Sequence, residues 1–272
     1  MKQGFVKVAS ATPRIRVADP VYNAQVICEQ AKEAAEHGAK IVVFPELCIT
    51  GYTCNDLFLQ ELLLEKAKEA LLTIAEETGQ LETLFLVGLP VDKDGRLYNV
   101  AAVLYRGRIL GMIPKKNIPM YAEFYEGRHF TPGEETVTEY RLGKQVIPFG
   151  SNLLFRCEEL PELILGCELC EDLWVAEPPS TSHALMGATV IANLSASNET
   201  VSKDDYRTLL IKASSARLLC GYIYTSAGEG ESTQDLVFGG HDLIAENGTL
   251  LVQSAFYYGN SLHRSGCIKN KQ

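Results

Sequence analysis

An α/β fold, with helices outside and mixed sheets within, is what this 272-residue sequence predicts. Three observations carry that expectation. Strand-like and helix-like segments alternate from one end to the other. Helix-then-strand pairs ending in polar residues occur in both halves, at Glu46 and again at residues 195–198, which points to a pseudo-symmetric pair of sheets packed face to face. No composition shift marks a linker and no short-period repeat appears, so the length fits one large domain or two small ones.

In order along the chain, residues 5–9 read as a first strand. Asp19-Pro20 places an N-cap ahead of a proline at the first helical position. The stretch 21–37 has apolar residues near helical spacing and ends at Gly38, a good residue to follow a helix. Residues 41–44 form a strand, 55–79 a long acidic amphipathic helix broken once near its start, and 84–88 a strand. Segments 98–105 and 108–113 flank Arg106-Gly107, a short hairpin signal. Residues 120–150 show no sustained period and read as a long functional loop. A strand closing at Cys170 follows, then a Pro178-Pro179 turn and a short helix over 181–186. The remainder reads as a strand at 189–194, a helix at 203–220, a strand at 222–226 and a β-meander over 236–252 with a turn at Glu246-Asn247-Gly248.

Composition narrows the function. A hydrophobic fraction of 46% and a charged fraction of 22% are those of an ordinary globular enzyme. The net charge of −9, with no basic run, argues against nucleic acid. No apolar stretch approaches the roughly 20 residues that span a bilayer. The first residues enter a strand pattern directly, so no signal peptide is expected and the cytoplasm is the expected location. The 8 cysteines read mostly as buried apolar fillers. Cys167 and Cys170 form a C-x-x-C, but no second ligand pair accompanies it, so neither a metal nor a redox role is expected.

Three strand ends carry the chemistry. Cys170 closes the apolar run 163–169 and opens a polar turn. Glu46 follows Phe44-Pro45, and Lys115 follows Ile113-Pro114. A thiol, a carboxylate and an ammonium at strand ends suggest nucleophile, general base and oxyanion stabiliser for acyl transfer. Glu168, Glu171 and Asp172 would raise the thiol pKa if they lay nearby, and Lys115 is the best candidate to offset them. Taken singly each residue has an ordinary structural reading: a buried cysteine, a turn glutamate, a surface lysine. The polar segment 193–199 suits an amide or amino group, or an ordinary turn. The glycine-rich segment 228–233 lacks the Lys-Ser/Thr of a phosphate loop, and His241 reads as structural.

Phe44-Pro45-Glu46-Leu47, Pro114-Lys115 followed by Ile118-Pro119, and the strand-terminal Cys170 resemble the Glu–Lys–Cys triad of the nitrilase (carbon–nitrogen hydrolase) superfamily. Four further segments (51–58, 170–174, 193–199 and 229–238) are similar to the glutaminase domain of glutamine-dependent NAD+ synthetases. The resemblance covers about residues 1–255. It implies a four-layer α-β-β-α sandwich that hydrolyses L-glutamine to glutamate and ammonia, with Glu46 as base, Lys115 as transition-state lysine and Cys170 as nucleophile. Lys115 is preferred to Lys116 because the family's lysine stands three residues before the Leu/Ile-Pro pair. Tyr121, Ser197 and Lys203 match glutamine-binding positions, and Glu171 and Tyr52 are further pocket residues.

In that family, ammonia passes to a synthetase domain that adenylates nicotinic acid adenine dinucleotide with ATP and Mg. No Ser-Gly-Gly-x-Asp-Ser loop occurs here, so the synthetase domain is read as absent and no cofactor is expected for this domain. Residues 256–272 are expected to be an atypical tail, truncated or disordered, because 261–267 lack apolar alternation. The resemblance also implies a homo-oligomer, and an activity that waits on the synthetase domain. Two alternatives stay open: a free-standing amidase for another small amide, and an inactive fragment that only binds partners.

Overall fold

The computed structural model describes residues 4–254, and residues 261–269 by their backbone alone. The strands in chain order are β1 (Phe5–Thr12), β2 (Ile41–Val43), β3 (Leu84–Lys93), β4 (Arg96–Tyr105), β5 (Arg108–Pro114), β6 (Thr138–Leu142) and β7 (Gln145–Phe149). They continue as β8 (Phe155–Arg156), β9 (Ile164–Leu169), β10 (Val190–Ser195), β11 (Gly221–Ser226), β12 (Leu243–Glu246), β13 (Thr249–Gln253) and β14 (Ser261–Lys269). Eight of them make one sheet, ordered β14-β1-β2-β3-β4-β5-β7-β6, and six make the other, ordered β13-β12-β11-β10-β9-β8.

The apolar side chains sort into layers. Val8, Val43, Leu86 and Val103 of the large sheet meet Leu165, Cys167, Ala192 and Ile223 of the small one in a shared core. The opposite face of the large sheet packs on helices α1 (Pro20–Glu36) and α2 (Glu61–Glu77), through Ile27, Ala31, Leu71 and Ile74. The small sheet's outer face is covered by α3 (Pro179–Leu185) and α4 (Lys203–Leu218), with Ile211 packed against Ile191 and Tyr222. The four layers are therefore α-β-β-α, as expected.

Local chemistry explains the boundaries. Asp19 accepts from the Tyr22 N–H at 3.1 Å and so caps α1, with Pro20 at its first turn. Arg106 and Gly107 turn β4 into β5 with φ of 47° and 76°, the left-handed pair that a tight hairpin demands. The long helix expected over 55–79 breaks at Gln60, into a 3-10 segment (Tyr52–Leu59) and α2.

Four expectations need correction. Strand β3 runs on to Lys93, through Pro90; β2 pairs with it only as far as Leu86, so the proline faces no ladder partner on that side. Residues 120–150 are not all loop, since β6 and β7 form a hairpin around Gly143. Their alternation is real but lasts only five residues each, and Pro148 obscures it. The meander contains only β12 and β13; residues 236–242 are irregular apart from a bridge between Asn198 and Phe238. Finally, residues 261–269 do form a strand, antiparallel to β1. Strand addition at a sheet edge needs only main-chain N–H and C=O groups, so it requires no alternation of side chains. Residues 256–260 and 270–272 of the expected tail lie outside the described residues.

Candidate active site

Strands β2 and β5 run parallel within the large sheet, and β9 and β10 run parallel within the small one, so each pair presents its C-terminal ends together. Glu46 follows β2, Lys115 follows β5, Cys170 follows β9 and Ala196 follows β10. The candidate site lies where these ends meet between the two sheets, the place α/β folds favour for ligands.

The backbone holds each group with some strain. The turn that carries Glu46 puts Leu47 at φ 52° and lies flat on β3 at Gly88. A Cβ at Gly88 would stand 2.3 Å from the Leu47 N and 2.6 Å from the Pro45 carbonyl, so only glycine lets this turn approach. Cys170 itself has φ 41°, uncommon for a side chain of this kind, and starts a short 3-10 turn, Cys170–Leu173. That turn is tied to the lysine segment by Asp172, which accepts from Leu169 N at 3.0 Å and from Asn117 N and Nδ2, both at 2.8 Å.

At the centre the Lys115 ammonium is fully enclosed. It donates to Glu46 Oε1 at 2.7 Å and to Glu126 Oε1 and Oε2 at 2.6 and 2.8 Å. Asn99 on β4 donates to Glu46 Oε1 at 2.7 Å, and the Tyr52 hydroxyl donates to Glu126 Oε1 at 2.9 Å. The Ala196 N–H donates to Glu46 Oε2 at 2.9 Å. Glu46 and Lys115 are thus brought together, and Cys170 lies within reach of the charges of both.

Burial opposes the charge on Lys115, but Glu126 and Glu46 outweigh it and lift its pKa well above the ordinary lysine value. Burial also raises Glu126, to about 7, with Lys115 pulling the other way. The Cys170 thiol is pushed up by burial and then by Glu46 and Glu126, while Lys115 and the Ala196 N–H pull it down. The sequence neighbours Glu168, Glu171 and Asp172 are not what raises it. Cys170 is therefore held as a thiol, with carboxylate charges nearby.

The other expected residues divide. Tyr121 donates its hydroxyl to both oxygens of Glu171, at 3.0 and 2.9 Å, at the exposed mouth. Lys203 bonds Asn198 Oδ1 and lies over the rings of Phe124 and Trp174, 5.5 and 5.4 Å from their centroids. Burial lowers its pKa, and the Cys170 charge acts on it in the opposite direction. Ser197 is buried, its N–H donating to Ser226 Oγ at 3.2 Å. Tyr52 is buried with its hydroxyl committed to Glu126, so it acts from behind the carboxylates. A small cleft open to solvent also reaches Glu126, with Tyr52, Phe58, Glu123, His129 and Asp235 on its walls; Cys170 is not among them.

Sequence reasoning missed Glu126, Asn99 and the bridging role of Asp172. Asn99 left a signal, a polar residue inside the apolar strand 98–105; Glu126, in an aperiodic stretch, left none. Cys167 is buried within β9, and among the described residues no group of three or more His, Cys, Asp or Glu could hold a metal ion. No described helix is long and apolar enough to cross a membrane.

Comparison with known proteins agrees with this fold. A glutamine-dependent NAD(+) synthetase of Mycobacterium tuberculosis is 43% identical over 253 residues, covering 93% of this chain and 37% of the relative. The chain therefore spans well under half the length of the curated relatives it matches. The solved structure of a glutamine-dependent NAD(+) synthetase from Cytophaga hutchinsonii superposes with a TM-score of 0.84 at 28% identity, covering 97% of this chain and 42% of that one. An amidase from Nesterenkonia sp., at 20% identity and a TM-score of 0.72, shares the fold over 98% of this chain and 90% of its own. The carbon–nitrogen hydrolase family model matches residues 7–256, and the chain belongs to that family.

Proposed function

We propose that this chain is a glutaminase that hydrolyses L-glutamine to glutamate and ammonia through a thioester on Cys170. The observation that carries the reading is the enclosed Glu46–Lys115 pair with the buried Cys170 within reach of its charges. Glu46 takes the thiol proton as the sulfur attacks the side-chain amide carbonyl, and the Lys115 ammonium steadies the oxyanion. Collapse of the tetrahedral intermediate breaks the C–N bond, and Glu46 returns the proton to the departing nitrogen, which leaves as ammonia. Glu46 then draws a proton from water, whose oxygen attacks the thioester, and glutamate and the free thiol are released.

Recognition falls to the mouth. Glu171, held by Tyr121, suits the substrate's α-ammonium, and Lys203 with Ser197 suits its α-carboxylate. The 43% identity to a glutamine-dependent NAD(+) synthetase supports glutamine as the amide. In this reading the ammonia serves amidation of nicotinic acid adenine dinucleotide by a synthetase domain that holds ATP and Mg; that domain is the functional partner, and the cytoplasm the setting.

The test is ammonia release from L-glutamine by the purified chain, beside Cys170→Ala and a panel of small amides. Release from glutamine that drops about 10⁴-fold or more in the variant is expected. Turnover of another amide in place of glutamine would make the chain a general amidase. Silence on every amide, also after adding a synthetase domain, would sink the enzymatic reading.

A further inference from the structure

Helix α4 turns a second cation toward the segment after β10. Arg207 lies four residues beyond Lys203, one turn along the helix, and its side chain is completely buried. Its guanidinium divides its donors. Nη2 donates to Ser197 Oγ and to the Asn198 carbonyl, each at 3.2 Å. Nη1 donates to Glu199 Oε1 at 3.0 Å and to His241 Nδ1 at 2.8 Å. A guanidinium cannot accept, so Nδ1 accepts and His241 is neutral with its proton on Nε2, which faces the Gln253 side-chain amide at 2.9 Å. Burial and the adjacent charge of Arg207 hold the His241 pKa down, to about 4, in keeping with that tautomer.

Three consecutive residues, Ser197, Asn198 and Glu199, are therefore fastened to one planar fork. The residue just before them is Ala196, whose N–H donates to Glu46 Oε2. The fork also decides the direction of a hydroxyl. Because Ser197 Oγ accepts from Arg207, its own proton is left to be donated elsewhere. A buried charge with one carboxylate partner is weak support for stability, since an apolar side chain of similar volume often does as well. What the guanidinium supplies that an apolar side chain cannot is the register of this segment.

We propose that Arg207 is a positioning residue for the reaction: it holds residues 197–199 so that the Ala196 N–H stays on the Glu46 carboxylate and the Ser197 hydroxyl donates to an anionic group of the substrate. The proposal rests on the glutaminase reading only for its substrate; the placing of Cys170 can be tested without one.

The test compares Arg207→Lys, which keeps the charge and loses the fork, with Arg207→Met, which loses both. Two readouts are taken on protein shown to be folded by near-UV circular dichroism: the rate at which iodoacetamide alkylates Cys170, and kcat and KM for glutamine. Both variants are expected to alkylate about tenfold more slowly and to lose kcat by about 10- to 100-fold, the scale of a small misplacement of reacting groups, with KM raised as well. Should Arg207→Met fail to fold, Arg207→Lys carries the test. Folded Arg207→Lys with alkylation, kcat and KM all within twofold of the parent, whatever its melting temperature, would overturn the proposal. If the parent chain does not hydrolyse glutamine, the glutaminase reading falls, and the alkylation rates alone decide the role of Arg207.

Discussion

The two ends of this site are built on opposite plans. In the inner cluster Glu46 and Lys115 are completely buried and Glu126 nearly so, and protein groups fill them on every side: Lys115, Asn99, Tyr52 and the Ala196 N–H. At the mouth Tyr121 is 54% exposed, and Glu171 and Lys203 are half-buried. The inner charges need no ligand to be satisfied, whereas the outer ones face water until something replaces it. Burial, and after it the charge of Glu46, raise the Glu126 pKa to about 7 against the pull of Lys115. Chemistry belongs to the closed end and recognition to the open one.

That contrast can be broken most forcefully at Lys115. Lys115→Met leaves two buried carboxylates facing each other and should cost about 3–5 kcal/mol of stability, read from denaturant midpoints, along with nearly all activity. A loss as small as that of a mouth substitution would refute the closed-end picture. Next comes the support beneath Glu46. Gly88→Ala pushes a methyl group into the Pro45–Leu47 backbone and should cost about 1–3 kcal/mol, with kcat falling more than KM.

A third buried carboxylate sharpens the comparison by lacking a cation. Glu168, behind Cys170 on β9, accepts from the Tyr222 hydroxyl and the Ser180 N–H, and burial raises its pKa to about 7. Its folded-state pKa lies above the ordinary 4.5, so between about pH 4.5 and 7 the folded protein holds a proton that the unfolded chain has released. Its contribution to stability is therefore greatest in acid and is lost as pH rises through that window. Glu168→Gln should flatten this part of the stability–pH curve; an unchanged slope would show that Glu168 is ionised in the folded state. The mildest effect is expected at the mouth, where Tyr121→Phe should raise KM by about two- to fivefold and leave kcat alone, since exposed polar contacts are worth little.

How far the sequence could be read follows from what each residue does locally. Glu46, Lys115 and Cys170 were visible because each is a polar group directly after an apolar run, where a strand must end. Helix α1 was visible because Asp19, Pro20 and Gly38 mark its limits by steric rules. Glu126 was invisible, because nothing around it repeats and its partners lie 11 and 74 residues away in the chain. Arg207 was hidden for another reason: on a polar helix a buried arginine and a solvated one are the same letter. Strand β14 escaped because edge pairing is a main-chain property, indifferent to the pattern by which strands are recognised.

The Ala196 N–H has a consequence for how this site can be mapped. A methyl side chain offers nothing for truncation to remove, so replacing residues one by one with alanine would pass over a donor that holds the Glu46 carboxylate. An amide-to-ester exchange at residue 196, which puts an oxygen in place of the N–H and leaves every side chain as it is, would remove that donor, and would weaken the Ser195 carbonyl, which accepts from Glu46 N and Ala227 N. The mutational footprint of the site is smaller than its machinery, and part of that machinery is written in the polypeptide itself.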